Sequence, residues 1–339
     1  MKLKNVAMLF ALMVASTGLA AAQSTPAPAQ PPAHTAVPAA PVPLQLNSIA
    51  PPKKIEFPAA DPKNFTASSP TIAEVNAFLK ELWGYDPNRV WQVDGIQTTK
   101  AANISRVTVA VAEQGVSHGP ATTIFFVTPD GHHAIAGGDV ITFGARPFDD
   151  NARLLAQGAN GPWRGATSKD LVLVEFADLE CPHCKEAAAT MDHLAKDFPN
   201  AHIVFENFPL TNVHPAAEKA ALFGVCVAQE KGNPAFFQYV QAVFDTQTDL
   251  TSNADQTLKD AVTKAGANPE KVSACSSGAA AKAAVAASVK LGKEVGVDQT
   301  PFLFVNGRPL PVTGIPYNTL RQIITYTATE GNPAVAGEK

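Results

Sequence analysis

A continuously apolar run, Leu171–Val174, passes through Glu175-Phe176-Ala177 into Asp-Leu-Glu-Cys-Pro-His-Cys and then directly into a helical pattern. Such a run is expected of a strand covered on both faces. Met191, Leu194, Ala195 and Phe198 give the following segment, from about Cys184, a buried stripe at helical spacing. Two of the four cysteines, Cys181 and Cys184, therefore stand where a buried strand hands over to a helix. A thiol at a helix start faces unpaired backbone N–H groups and the positive end of the helix dipole, and both favour thiolate over thiol. Pro182 suits the first turn, where its missing N–H costs nothing. His183, when protonated, adds positive charge near the sulfur.

Three readings of the pair compete. A zinc site needs four ligands, yet Cys226 and Cys275 lie far apart and form no second Cys-x-x-Cys. A purely structural bridge between Cys181 and Cys184 would close a tiny loop and constrain little. A redox-active pair accounts for both the spacing and the helix start, and no metal or cofactor is implied.

The beginning of the chain bears on the compartment. Lys2 and Lys4 precede an apolar run, Val6–Val14, and small residues ending Ala20-Ala21-Ala22. Residues 1–22 thus read as a secretory leader, too short in its apolar part to span a membrane. No cysteine follows that run, so a lipid-modified start is not supported. The expected location is periplasmic or otherwise exported, where disulfides persist, and the cleaved protein is expected to be soluble. Loss of Lys2 and Lys4 would take the 26 basic residues to 24 against 30 acidic ones, a net charge of −6. That acidic balance argues against nucleic acid as a partner.

Residues 23–68 are rich in Pro, Ala, Ser and Thr and read as a disordered spacer. A small α+β unit is expected over 69–146. Ile72, Val75, Phe78, Leu79 and Leu82 recur at helical spacing behind Thr71 and Glu74, which have capping-box spacing. Four strand-like runs follow, from Arg89, Ile104, Thr122 and His133, with Pro129-Asp130-Gly131 as a turn between the last two. His118, His132 and His133 beside glycine and proline read as solvated turn residues rather than metal ligands. A connector over 147–163 leads to a second unit, 164–330, of α/β character. Its expected order is strand, helix from Cys184, strand from His202, several helices, strand Phe302–Val305, a turn at Asn306-Gly307, an edge strand holding Pro309 and Pro311, and a helix from Tyr317. Residues 331–339 read as a disordered tail.

The Leu171–Leu194 region, with its Cys-Pro-His-Cys tetrad, resembles the active-site region of thioredoxin-fold disulfide oxidoreductases, in particular the DsbA-like periplasmic branch. The likeness continues through "FENFPLTNVHPAAEKAA", "AFFQYVQAVFD" and "VGVDQTPFLFVNGRPL" and is similar to the single-chain subfamily with a helical insertion, here about 210–296. It implies that Cys181 is the attacked, surface-exposed cysteine and Cys184 its buried partner. It implies a cis peptide at Thr300-Pro301, facing the pair and leaving the Thr300 backbone free to meet an extended substrate peptide. Glu175 matches a buried acid that could exchange a proton with Cys184; a strand-end charge turned to solvent remains the alternative. Glu180, next to Cys181, departs from what an oxidase wants, since its charge would raise the thiol pKa and temper the oxidising power unless it points to solvent. With an even cysteine count in an exported chain, the resemblance implies a Cys226–Cys275 disulfide in the helical block, against two reduced buried thiols. The implied partners are unfolded or reduced exported proteins as substrates and a membrane-bound, quinone-linked reoxidising protein. The first unit bears a faint likeness to the dimerisation domain of periplasmic disulfide isomerases, which leaves a homodimeric isomerase or reductase as the second reading. A non-catalytic binding or chaperone module is the third.

Overall fold

The computed structural model describes residues 55–116 and 119–329. The leader, residues 23–54 of the spacer, His118 and the tail 331–339 lie outside the described residues. The rest of the expected spacer is not free of structure. Pro62–Asn64 form a 3-10 turn capped by Asp61, and Phe65 makes a parallel bridge to Ile96. Phe65 and Ala67 pack against the first core, which holds this stretch down.

Helix α1 (Ile72–Trp83) opens on the full capping box: the Thr71 hydroxyl accepts from the Glu74 N–H, and the Glu74 carboxylate accepts from the Thr71 N–H. Ile72, placed on the expected stripe, is instead exposed at the helix start. Five strands follow rather than four: β1 (Arg89–Thr98), β2 (Ser105–Glu113), β3 (Ala121–Val127), β4 (His133–Ala136) and β5 (Asp139–Thr142). Gly137 and Gly138, at φ 62° and 95°, split the last expected run into a tight hairpin. The sheet is an antiparallel meander in chain order. Its inner residues, including Val107, Val109, Phe125 and Val127, close on Val75, Phe78, Leu79 and Trp83 of α1. The outer face leaves Ile124, Phe126 and Val140 exposed.

The expected connector contains a helix, α2 (Asp149–Gly158), with Asp149 and Asp150 in its first turn, where the helix dipole favours them. Its Leu155 is buried in the second unit's core, which explains why this stretch is ordered. The second sheet has the order β10-β9-β7-β8-β6, built from β6 (Trp163–Gly165), β7 (Val172–Ala177), β8 (His202–Asn207), β9 (Phe302–Val305) and β10 (Arg308–Pro311). β7 and β8 are parallel; the other pairs are antiparallel. Alternation along β7 divides its side chains between two cores. Leu173 meets Ala187, Met191 and Leu194 of α3 (Pro182–Asp197) and Leu320, Ile323 and Ile324 of α9 (Tyr317–Thr329). Val174 and Phe176 meet Leu155 and, on α8 (Ala279–Glu294), Leu291. Between β8 and β9 stand α4 (Ala217–Lys231), α5 (Asn233–Asp245), α6 (Leu250–Lys264), α7 (Pro269–Ser276) and α8. Cys226 of α4 and Cys275 of α7 are joined by a disulfide.

The β9–β10 turn, with Asn306 at φ 45° and Gly307 at φ 86°, lies at the end of the sheet away from the cysteine pair. There the buried Arg308 guanidinium donates to the Glu81 and Leu82 carbonyls at the C-terminus of α1 and lies 4.5 Å from the Phe148 ring. Tyr326 Oη donates to the Lys80 carbonyl at 3.0 Å. The Glu81 and Leu82 carbonyls, in the last turn of α1, are thus met by the second unit. The first unit docks opposite the thiols.

The disulfide yields a quantitative expectation. Its two cysteines are 49 residues apart, and closing a loop of that length stabilises the fold by about 4 kcal/mol through the unfolded chain. The double variant Cys226→Ala/Cys275→Ala should lose roughly that much in denaturant unfolding, and a loss below about 1 kcal/mol would show that α4 and α7 hold their positions without the bond.

Candidate active site

Cys181 is the N-cap of α3, and Pro182 occupies the first helical position, so the helix starts two residues before the expected Cys184. The two thiols are reduced and both are buried: Cys181 is 4% exposed and Cys184 is 1% exposed. Exposure of Cys181 was expected and is corrected here. Both sulfurs pack in one cluster with Phe205 of β8 and, from the helical block, Ala216, Ala220 and Phe223. From that block Gln247 donates to the carbonyls of Leu179 and Cys181, each at 3.0 Å, and so holds the loop before α3.

The two sulfurs are made unequal by their donors. The Cys181 pKa is brought down to about 5, first by the hydrogen bond from the Cys184 thiol. The Thr300 side chain and the N–H groups of Cys184 and His183 add to this, while burial opposes it. Burial drives the Cys184 pKa well above the ordinary thiol value, and the neighbouring Cys181 charge raises it further. One proton between two sulfurs thus resides on the inner one. The His183 ring is exposed and turns to Glu186, at 3.1 Å; that hydrogen bond raises its pKa, and the Cys181 charge adds a smaller push. The expected positive charge near the sulfur is therefore supplemented by the residue's backbone N–H.

Glu180 does not face the thiol. Its carboxylate accepts from the Ala216 N–H at 2.6 Å, just ahead of α4, and its own N–H donates to Asp178 Oδ1 at 2.8 Å. The concern that it raises the Cys181 pKa is met by this geometry. Thr300-Pro301 is a cis peptide, and Cys181 Sγ lies 3.6 Å from the Thr300 carbonyl oxygen, which can accept from it only while that thiol is protonated. The Thr300 hydroxyl is buried without another partner, which leaves it free for a sulfur.

Glu175 is buried, at 6% exposure, and the strand's alternation puts it on the α3 side of the sheet. It lines a cleft of about 280 Å³ with Ala188, Met191 and Asp192 of α3, Arg164, and Phe237 and Gln241 of α5. Desolvation pushes its pKa up to about 7; the Arg164 charge pulls it down and the Asp192 charge raises it. Arg164 is engaged by Asp192 at 2.6 Å and lies over the Phe237 ring at 4.9 Å, so it does not neutralise Glu175.

Asp178 and His214 escaped the sequence reading. The Asp178 carboxylate is fully buried and accepts from Glu180 N–H, Leu210 N–H and His214 Nδ1, each at 2.8 Å. The available signals were a lone acid between apolar residues just before the tetrad, and a His-Pro step ahead of a helix. Elsewhere, His133 pairs with Asp130 at 2.6 Å in an exposed turn. Among the described residues no cluster of three or more His, Cys, Asp or Glu side chains is assembled as a metal site.

A sheet with a parallel β7–β8 pair, a Cys-x-x-Cys capping the helix between them and a cis-proline at the start of an antiparallel neighbour defines a thioredoxin-like fold with a helical insertion. Residues 158–325 match the family model described as Thioredoxin. Among curated proteins, the Na(+)/H(+) antiporter NhaA 1 of Salinispora arenicola (strain CNS-205) is 41% identical over 58 residues, which is 17% of this chain and 9% of that protein. The Na(+)/H(+) antiporter NhaA 1 of Mycolicibacterium vanbaalenii is 35% identical over 88 residues, 26% of this chain and 14% of that protein. The chain therefore spans about a tenth of the length of the curated relatives it matches. Among the described residues no single helix is long and apolar enough to cross a membrane. Among solved structures, Proteus mirabilis ScsC in a transitional conformation has a TM-score of 0.44 at 24% identity, covering 52% of this chain and 80% of that one. Oxidised BdbD from Bacillus subtilis has a TM-score of 0.45 at 20% identity, covering 50% and 92%. The thiol-disulfide exchange protein alpha-DsbA2 from Wolbachia pipientis has a TM-score of 0.45 at 20% identity, covering 52% and 95%.

The Glu175 environment predicts a pH-dependent stability change. Its folded pKa, about 7, is raised above that of a free carboxyl, so its contribution is favourable only below the unfolded value and is lost as pH rises through 7. Glu175→Gln should therefore stabilise the protein at pH 8, on the order of 3 kcal/mol, with the gain fading toward pH 4. Denaturant melts of both proteins across that range check it; a gain that is equal at all pH values would contradict a carboxyl titrating near 7.

Proposed function

We propose that this protein is an exported thiol:disulfide oxidoreductase of the DsbA-like kind, which passes a Cys181–Cys184 disulfide to reduced client proteins. The observation that carries the reading is the inequality of the two sulfurs. A Cys181 thiolate stable at neutral pH lowers the free energy of the reduced pair, and a stable reduced form makes the disulfide a ready oxidant.

The exchange begins when a client thiolate attacks Cys181 Sγ. The Cys181–Cys184 bond breaks, and its electron pair leaves on Cys184, which takes up a proton. A second client thiolate then attacks the client sulfur of the mixed disulfide, and Cys181 departs as the stabilised thiolate. Two electrons and a disulfide have changed places. Glu175, with a pKa near neutrality and a cleft beside it, is suited to hold or release the proton that Cys184 takes up. The Thr300 backbone beside Cys181 offers the nearest main-chain partner for an extended client. Regeneration at neutral pH removes two electrons and one proton from the thiolate–thiol pair, and the sequence resemblance points to a membrane-bound, quinone-linked protein as acceptor.

A second reading, a homodimeric isomerase or reductase, has one structural observation in its favour. Phe126, Ile135 and Val140 stand side by side across β3, β4 and β5 on the outer face of the first sheet, with Ile124 nearby. A second copy covering that face would leave the thiols open, because the first unit docks at the opposite end of the second sheet.

Thiolate absorbance of the reduced protein should titrate with a midpoint about 5; a midpoint near ~8.5, that of a free cysteine, would remove the basis for an oxidase. Because the folded pKa of Cys181 is depressed, the reduced form should gain stability over the disulfide form as pH rises from about 5, and lose that advantage below it. Oxidation of reduced ribonuclease by the disulfide form should fall to background in Cys181→Ser, whereas full retention would indicate a binding module. Sedimentation equilibrium separates the second reading: a dimer abolished by Phe126→Asp, together with repair of scrambled ribonuclease, would favour isomerisation.

A further inference from the structure

Both cysteines are hydrogen-bonded to the backbone of one residue, Asp178. Its N–H donates to Cys184 Sγ at 3.3 Å, and its carbonyl accepts from the Cys181 N–H at 3.1 Å. That peptide unit lies in the stretch joining β7 to α3, and a connecting stretch alone has little to fix its orientation. Here the side chain fixes it. Oδ1 takes the Glu180 N–H, two residues on; Oδ2 takes the Leu210 N–H, after β8, and His214, ahead of α4. A carboxylate can only accept, so His214 holds its proton on Nδ1 toward Asp178. Three donors, one two residues on and two from the turn after β8, thus converge on one buried carboxylate, 1% exposed, and fix its orientation.

The exchange proposed above, on which this inference rests, deposits a negative charge on Cys184 in its first step. Cys184 is the more buried sulfur, with little solvent to receive that charge. We propose that Asp178, locked by His214, is the positioning residue for the leaving group: it aims its own N–H at the Cys184 sulfur, where the electron pair of the broken disulfide arrives. No proton is transferred from that N–H; it stabilises the developing thiolate until Cys184 is protonated. The device acts on the attack at Cys181 and not on the nucleophilicity of the Cys181 thiolate, which draws on Cys184, Thr300 and the helix N–H groups. The two roles can therefore be measured apart.

The test uses the full chain in two states. Oxidised wild type, Asp178→Asn, His214→Leu and His214→Gln are mixed with excess of a reduced single-cysteine peptide, and loss of the Cys181–Cys184 disulfide is followed by acid quench and mass spectrometry. The reduced forms are treated with iodoacetamide, which reports the reactivity of the Cys181 thiolate. Losing one hydrogen bond to a charged group corresponds to about a tenfold change in rate. Asp178→Asn, which presents an amide to donors, and His214→Leu should slow disulfide cleavage by about tenfold. Their iodoacetamide rates should stay within about twofold of wild type, and His214→Gln, which keeps an N–H donor, should recover most of the cleavage rate. Should Asp178→Asn fail to fold, His214→Leu carries the test, since that ring is only partly buried. Unchanged cleavage in His214→Leu would overturn the proposal, as would a parallel fall in both rates, which marks a merely structural role. Wild-type protein that exchanges no disulfide at all would sink the functional reading itself, a result separable from the other two.

Discussion

A single proton between two buried sulfurs sets the terms for the rest of this site. Neither sulfur has much water, so neither can hold charge unless the protein supplies donors. It does so unevenly. Cys181, at the helix cap, collects the Cys184 thiol and two helix N–H groups, whereas Cys184 collects one backbone N–H. Burial is the leading cause on Cys184, and it opposes the donors on Cys181 without overcoming them. Burial and the direction of the donors together make one sulfur the nucleophile and the other the proton holder.

That dependence explains how the fold is arranged around the pair. The helix start and the cis-proline strand belong to the thioredoxin core, but the cover over the sulfurs comes from the helical block: Gln247 on the loop carbonyls, Ala216 on Glu180, and Leu210 and His214 on Asp178. The Cys226–Cys275 bond ties α4 to α7 within that block, so it braces the elements that dock on the site loop. The first unit takes no part, because Arg308 and Tyr326 fasten α1 to the far end of the sheet.

Local signals carried much of this into the sequence. The strand run, the Cys-x-x-Cys and the helical stripe identify β7 and α3, and the Thr71/Glu74 spacing identifies the start of α1. What stayed hidden depends on distant segments. Cys181 is buried by Phe205 and by residues of the helical block, distant in the chain, which no local pattern records. Glu180 was read through its neighbour in the chain, while its partner in space is Ala216. Asp178 looked like an ordinary polar interruption, since its three donors meet only after the helical block folds back. Residues 55–68 were misread for a related reason: proline-rich composition says nothing about the contacts beside β1 that receive Phe65.

Two carboxyl groups flank the pair, three residues apart in the chain, and their surroundings suit them to opposite tasks. Glu175 faces a cleft, receives no hydrogen bond that would favour its charge, and is held neutral up to about pH 7 by burial. Such a group changes protonation at little cost near neutrality, as a proton store requires. Asp178 accepts three hydrogen bonds. Those three contacts fix its orientation, so it is suited to hold a shape. Exchanging the two environments would remove both functions: a fixed Glu175 could not follow the Cys184 proton, and a loosened Asp178 could not keep its N–H on the sulfur. The strand's alternation, which sends Glu175 to the α3 face before β7 ends and the loop delivers Asp178 to the helical block, is what keeps the two apart.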